Sequence, residues 1–306
     1  MFLGAGFSKW AADLPIAYQL FDFSIKPWGQ HENSKFKIVQ SLKREWDEAH
    51  HGDAEQFIAD ALTFPEKERK AVVWYLVRRL SEPFIWNEYQ SGRWRRHVLM
   101  IDENRRFKIE GIIKAKGFLD EISIAPLNGI ITTNYDMLVE YALGTKRFNY
   151  GIPNQVLIGR GPYPVSTWLN PVRLTGELRL AKIHGSISWD KDGCYTDGRR
   201  GLTGDALIVA PTPEKQPQEI LKFQWATARN ILEDAKQLVV FGFAFNPYDE
   251  AVLSLLQSGG QNIESVLLID PNPQIGRAQT LWPNARITPC QPPPQGNAEI
   301  RNWIVA

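Results

Sequence analysis

The sequence predicts an α/β protein built on a doubly wound parallel sheet, with a helical subdomain inserted after its first turn. Three observations predict it. Short apolar runs bounded by Gly, Asn, Asp or Pro recur at Gly129–Thr133, Leu180–Ile183, Leu207–Val209, Leu238–Phe241 and Ser265–Ile269. Such runs suit strands covered on both faces. Helical patterns lie between them at Asp136–Leu143, Pro217–Asp234 and Tyr248–Gln257. The alternation is that of βαβ units, giving a Rossmann-like layer. The segment from Ser34 to Glu121 instead sets Ile38, Leu42 and Trp46, then Phe57, Ile58 and Leu62, then Val72, Val73, Leu76, Val77 and Leu80 at helical spacing among charges.

In chain order, Phe2-Leu3 runs into Gly4-Ala5-Gly6-Phe7-Ser8, the form of a strand end, a tight turn and a helix start. The helical block follows, and the strand-helix alternation resumes from Ala125. The expected units are residues 1–33 with 122–306 as one nucleotide-binding domain, and 34–121 as the inserted helical subdomain. No internal repeat is evident.

Composition narrows the class. With 306 residues, 43% hydrophobic and 23% charged, eleven Trp and fifteen Phe, the chain has ample core, which excludes disorder and fibres. Its net charge of +1 provides no global field towards nucleic acid. The basic run Arg93, Arg95, Arg96, Arg105, Arg106 and Lys108 is interleaved with Asp102, Glu103 and Glu110, which reads as a solvated helix face, so direct nucleic-acid binding is not expected. Trp86, Tyr89 and Trp94 nearby suit core packing or a protein contact. Two cysteines, Cys194 and Cys290, make neither a thiolate zinc knuckle nor a stapled small fold, and a cytoplasmic setting is expected. Met1 to Trp10 shows no basic segment followed by an apolar run, and no stretch approaches the roughly 20 apolar residues of a membrane span. The five histidines lack metal-ligand spacing, so no metal is expected.

In a doubly wound sheet, ligands sit at the carboxyl ends of strands. The residues there are Gly4-Ala5-Gly6-Phe7-Ser8, Thr132-Thr133-Asn134-Tyr135-Asp136, His184-Gly185-Ser186, Gly242-Phe243-Ala244-Phe245 and Asp270-Pro271-Asn272. Glycines at a strand-to-helix turn let backbone amides approach a diphosphate, or serve the turn alone. Asp270 either accepts both hydroxyls of a ribose or caps a turn before Pro271. His184 either takes a proton from a ribose hydroxyl or is a core histidine with satisfied hydrogen bonds. Asn134 and Asp136 either hold a water, a hydroxyl or a carboxamide, or cap the following helix as a pair.

The five segments in this order resemble the sirtuin-like NAD-binding domain, over roughly Phe2 to Ser8 and Asn128 to Pro273. Thr133-Asn134-Tyr135-Asp136 with His184-Gly185 is the most specific part. The resemblance implies that Asn134 positions the nicotinamide ribose or the attacking water, that Asp136, after Thr133, lies beside the carboxamide, and that His184 is the general base. It implies that Gly4, Ala5, Gly6 and Ser8 hold the diphosphate and ribose, that Gly242 and Phe243 line the groove, and that Asp270 takes the adenosine ribose.

The sequence departs from the deacetylases of that family. It lacks the four cysteines of their zinc ribbon, carries Thr133 where they have glutamine, and lacks the usual glycine before Pro15. In these respects it resembles the sirtuin-like NADases of bacterial antiphage defence. The resemblance implies NAD as substrate rather than cofactor, hydrolysis to nicotinamide and ADP-ribose in abortive infection, and self-association or assembly with a HerA-type ATPase or an Argonaute-type protein. A protein deacylase, or a non-catalytic module binding NAD or ADP-ribose, are the alternatives.

Overall fold

Seven parallel strands form the central sheet: β1 (Phe2–Leu3), β2 (Gly129–Thr132), β3 (Phe148–Asn149), β4 (Leu178–Lys182), β5 (Gln237–Phe241), β6 (Ser265–Ile269) and β7 (Arg286–Cys290). Their spatial order is β7-β6-β5-β1-β2-β4-β3. The computed structural model describes residues 1–24, 34–50, 52–90, 93–101, 104–124, 126–152, 156–160, 169–190, 193–195, 204–210, 219–292 and 298–305. Short as it is, β1 sits at the centre, with Phe2 opposite Val240 and Ile131, and Leu3 opposite Phe241 and Thr132.

Side chains alternate across a strand, and that alternation divides the core in two. Leu3, Ile130, Leu180, Phe241 and Leu267 join one apolar cluster, while Phe2, Ile131, Ala181, Val240 and Leu268 join the other. Eleven helices are seen among the described residues: α1 (Ala5–Ala12), α2 (Ala17–Leu20), α3 (Ser34–Ala49), α4 (Ala54–Ala61), α5 (Glu66–Ser81), α6 (Glu110–Ile122), α7 (Leu138–Leu143), α8 (Glu219–Glu233), α9 (Glu250–Gly259), α10 (Ile275–Leu281) and α11 (Ala298–Val305). The first cluster takes Phe7 from α1, Phe118 from α6, Leu138 from α7 and Ile300 from α11. The second takes Ile231 from α8, Leu255 from α9 and Ala278 from α10. The chain is therefore an α/β protein with helices on both faces of a parallel sheet.

The helical block shares the first cluster: Val39, Trp46, Phe57 and Tyr75 are continuous with Leu3 and Phe7. Its α5 is buried at every position from Ala71 to Ser81, as befits a helix enclosed by neighbours. Asp53 caps α4, its side chain accepting from the Glu55 and Gln56 amides at 3.0 Å. At the other end of the block, α6 packs on α1, its Lys114 Nζ donating to the Trp10 carbonyl at 2.7 Å.

Three expectations are corrected. The block is not wholly helical, because Ile85–Gln90 and Arg93–Val98 pair as an antiparallel hairpin, so Arg93, Arg95 and Arg96 lie on a strand rather than a helix face. Trp86, Tyr89 and Trp94 on either side of the dipeptide Ser91-Gly92 are a hairpin signal that the surrounding helical spacing obscures. Leu207–Ile208 pairs antiparallel with Gly185–Ser186, outside the central sheet. The edge strands β3 and β7 fall outside the predicted runs, since β3 is two residues long and β7 carries Pro289, which an edge tolerates. The side chains of Trp86, Tyr89, Trp94 and Arg105 lie outside the described set, as do Asp102 and Glu103.

The strand order reverses between β1 and β5, and there the backbones touch. Gly4 N donates to the Phe241 carbonyl and Gly6 N to the Gly242 carbonyl, each at 2.9 Å. Gly242 has φ +64°, and a Cβ there would lie 2.4 Å from Gly6 Cα and from Phe7 N. Glycine is required by both the dihedral and the approach. Gly242→Ala is accordingly expected to lower the unfolding free energy by about 3 kcal/mol, read as a reduced denaturant midpoint. An unchanged midpoint would refute this account of the contact.

Candidate active site

The carboxyl ends of β1, β2, β4, β5 and β6 border a cleft of about 390 Å³. It lies at the point of strand-order reversal, where open α/β sheets take ligands. Ile16, Ala17 and Leu20 around α2, Glu55 and Ile58 from α4, and Leu80 from α5 wall the other side. Of the predicted residues, Ala5, Gly6, Ser8, Thr133, Asn134, Asp136, His184, Gly242, Phe243 and Asp270 all line this cleft. Gly4 is buried between the strands, with its carbonyl accepting from Asn134 Nδ2 at 2.9 Å.

That contact orients Asn134. A carbonyl oxygen can only accept, so the nitrogen of the amide must be the atom beside it. Nδ2 also donates to Ser8 Oγ at 2.9 Å, Ser8 Oγ donates to Asp136 Oδ2 at 2.8 Å, and Asp136 Oδ1 accepts from the Leu138 amide at 2.9 Å. The Asn134 amide donates to Thr132 Oγ1 at 3.0 Å, itself donating to the Leu3 carbonyl at 2.9 Å. Asp136 thus caps the first turn of α7, whereas Asn134 is held by the glycine turn. With both amide protons donated within the protein, Asn134 Oδ1 is the atom left to accept from a water or hydroxyl. The Ser8 hydroxyl, expected on a ribose or phosphate, gives its proton to Asp136.

Beneath the segment lies an ion pair that sequence reasoning missed. Lys182 and Glu140 have side chains 1% and 0% exposed, with Nζ 2.8 Å from Oε1. Lys182 Nζ also donates to the Asp136 carbonyl, and Tyr150 Oη donates to Glu140 Oε1 at 3.0 Å. Burial pushes the Tyr150 phenol well above its usual pKa, with the Glu140 charge adding to the shift, so it remains a donor. The available signal was a lysine within Leu180-Ala181-Lys182-Ile183 and a glutamate within Leu138-Val139-Glu140. Charges inside apolar runs demand a partner.

His184 is 4% exposed and its carbonyl accepts from the Val209 amide at 2.9 Å, which ties the loop after β4 to the short Leu207–Ile208 strand. Its Nε2 lies 3.0 Å from Oδ2 of Asp249, a second buried residue absent from the predicted set. The Tyr135 ring stands 6.2 Å from the imidazole, and its hydroxyl donates to the Val209 carbonyl at 3.0 Å. Desolvation raises the Tyr135 pKa, with the Glu55 and Asp249 charges adding to it. Asn246 Nδ2 donates to Glu55, linking the loop after β5 to α4. Asp270 lines the cleft while its Oδ1 accepts from the Asn272 amide at 2.8 Å, the turn-forming alternative realised beside the cleft.

Cys194 and Cys290 are both buried, lie in different sheets and form no disulfide. Among the described residues, no group of three His, Cys, Asp or Glu is placed to hold a metal, and no helix is long and apolar enough to cross a membrane.

No family model matches the chain, and no curated protein does. Among solved structures, a chain described under the structural basis for the mechanism and regulation of Sir2 enzymes is 14% identical with a TM-score of 0.43, the match covering 99% of this chain and 88% of that one. A Sir2 homologue in complex with NAD is 14% identical with a TM-score of 0.33, over the same shares of the two chains. Likeness at this level assigns no residue a role.

Proposed function

We propose that the protein is an NAD glycohydrolase of sirtuin-like type, cleaving NAD to nicotinamide and ADP-ribose. The observation that carries it is the convergence of Asn134 and His184 with the glycine turn and Asp270 in one cleft at the strand-order reversal. In the reaction the C1′–N bond breaks, nicotinamide leaves with the electron pair, and water forms the new C1′–O bond. The oxocarbenium-like transition state gains from an oriented water and a base more than the ground state does. Asn134 Oδ1 holds the water and His184 receives its proton. The amino end of α1 receives the diphosphate.

The charges in the cleft bear on the substrate. Its described lining carries the acids Glu55, Asp136, Asp249 and Asp270 and no Lys or Arg. That suits a cationic nicotinamide ring and unmodified ribose hydroxyls, and opposes a 2′-phosphate. Depletion of NAD in antiphage defence, by a self-associated enzyme or one assembled with an ATPase or Argonaute, is the role proposed from the sequence resemblance.

The test is chromatography of NAD after incubation with the purified protein. Equimolar nicotinamide and ADP-ribose without any acyl peptide are expected, with NADP cleaved at least about tenfold more slowly, a difference of about 1.4 kcal/mol. Nicotinamide release that requires an acylated peptide would replace this reading with a deacylase.

A further inference from the structure

Resting on the glycohydrolase reading, we propose that Asp249 is the positioning residue of this site: its buried carboxylate holds the His184 imidazole in the tautomer and orientation that receive the proton from the attacking water. The geometry is direct. Asp249 Oδ2 lies 3.0 Å from His184 Nε2, and the two residues are 3% and 4% exposed.

A second observation concerns what the carboxylate does not do. Asp249 occupies the N-cap position of α9, where an aspartate side chain ordinarily accepts from the amides of the first turn, yet it makes no such hydrogen bond. Its backbone is anchored all the same. The Asp249 amide donates to the Asn246 carbonyl at 3.0 Å, and its carbonyl accepts from the Leu253 amide at 3.0 Å. The helix start thus fixes where the carboxylate emerges, and the side chain is directed to the imidazole instead of to the helix. The same helix start places its partial positive charge beside the carboxylate.

The chemical consequence follows from hydrogen-bond inventory. An imidazole donating Nε2–H to a carboxylate carries its lone pair on Nδ1. As water attacks C1′ and nicotinamide departs with the C1′–N pair, the water O–H bond breaks and its proton forms N–H at Nδ1. The imidazolium is stabilised by Asp249, which does not itself take the proton, and the proton then passes to solvent. Asp249 touches neither water nor NAD in this scheme and acts through His184.

The test is Asp249→Asn, with Asp249→Glu as companion, read by two measurements on the full chain. The first is ¹⁵N NMR of labelled histidine, the His184 ring being assigned by its loss in His184→Gln. Wild type is expected to show neutral His184 with its proton on Nε2, and Asp249→Asn to show a shift towards the Nδ1–H tautomer, since a carboxamide can donate to Nε2. The second is steady-state cleavage of NAD. In Asp249→Asn kcat is expected to fall at least about 100-fold with KM changed less than about threefold, and Asp249→Glu to recover at least tenfold of that loss. A native-like amide spectrum in both variants separates the effect from unfolding. An Nδ1–H tautomer in wild type, the same tautomer in wild type and Asp249→Asn, or an undiminished kcat would each overturn the proposal. If wild type releases no nicotinamide, the glycohydrolase reading fails on its own, and the tautomers still decide whether Asp249 governs His184.

Discussion

Asn134→Ala is expected to lower kcat for NAD cleavage by about 100- to 1000-fold if the protein is the proposed glycohydrolase, because the variant loses the amide oxygen proposed to orient the water while leaving His184 and Asp249 paired. The structure also sets the side effect. Asn134 Nδ2 serves two acceptors, the Gly4 carbonyl and Ser8 Oγ, both buried. Removing a donor from buried acceptors costs about 1–3 kcal/mol, so a moderate fall in thermal midpoint accompanies the loss of turnover. The two effects are separated by measuring kcat well below that midpoint. Full turnover in folded Asn134→Ala would remove Asn134 from the reaction. His184→Ala, by contrast, also removes the 3.0 Å contact to Asp249 and so changes two groups at once.

Lys182→Met is expected to destabilise the protein by about 3–5 kcal/mol, since it leaves a buried Glu140 carboxylate without its cation. The Asp136 carbonyl loses a donor in the same change. Replacing both partners by groups of similar shape, Lys182→Met with Glu140→Leu, is expected to recover a large part of the loss, because an apolar pair carries no desolvation cost. The measurement is denaturant unfolding of the two singles and the double at constant slope. If the double is no more stable than Lys182→Met, the ion pair is not the source of the effect. Activity adds a second readout, as the pair sits directly beneath the Asn134–Asp136 segment.

Most of the central sheet was legible because strands covered on both faces are written as apolar runs, and Ser265–Ile269 has the same limits in sequence and structure. What escaped lies where that signal fades. At the sheet edges, β3 has too few residues to form a run and β7 mixes Arg286 and Pro289 with its apolar positions. The hairpin strands Ile85–Gln90 and Arg93–Val98 lie between the helices α3 to α5 and α6, whose strong helical spacing outweighs two six-residue strands in any reading by periodicity. Its cross-strand pairing, which decides the matter, is a non-local fact.

The lining of the candidate site was legible to the same extent and for a related reason. Topology sends ligands to the residues that follow strands, so Asn134, His184 and Asp270 could be found one to two residues past an apolar run. Asp249, Glu55 and Asn246 stand outside that rule. Asp249 begins a helix seven residues after the Gly242 turn, where an acid reads as a cap, and Glu55 belongs to the helical block. Only folding brings them to the cleft.

The placement of β1 also governs when the cleft comes into being. Its two residues find their partners near positions 131 and 240. During synthesis from the amino end, β1 can pair on one side only once residue 132 has emerged, and on the other only once residue 241 has. Closing so long a loop is entropically slow, and the glycine turn cannot meet Gly242 before it is made. Nascent chains of this protein should therefore have no assembled cleft, and NAD cleavage should begin only with molecules extended well beyond residue 242. Made before both of its neighbours, β1 is among the last strands to be enclosed by them.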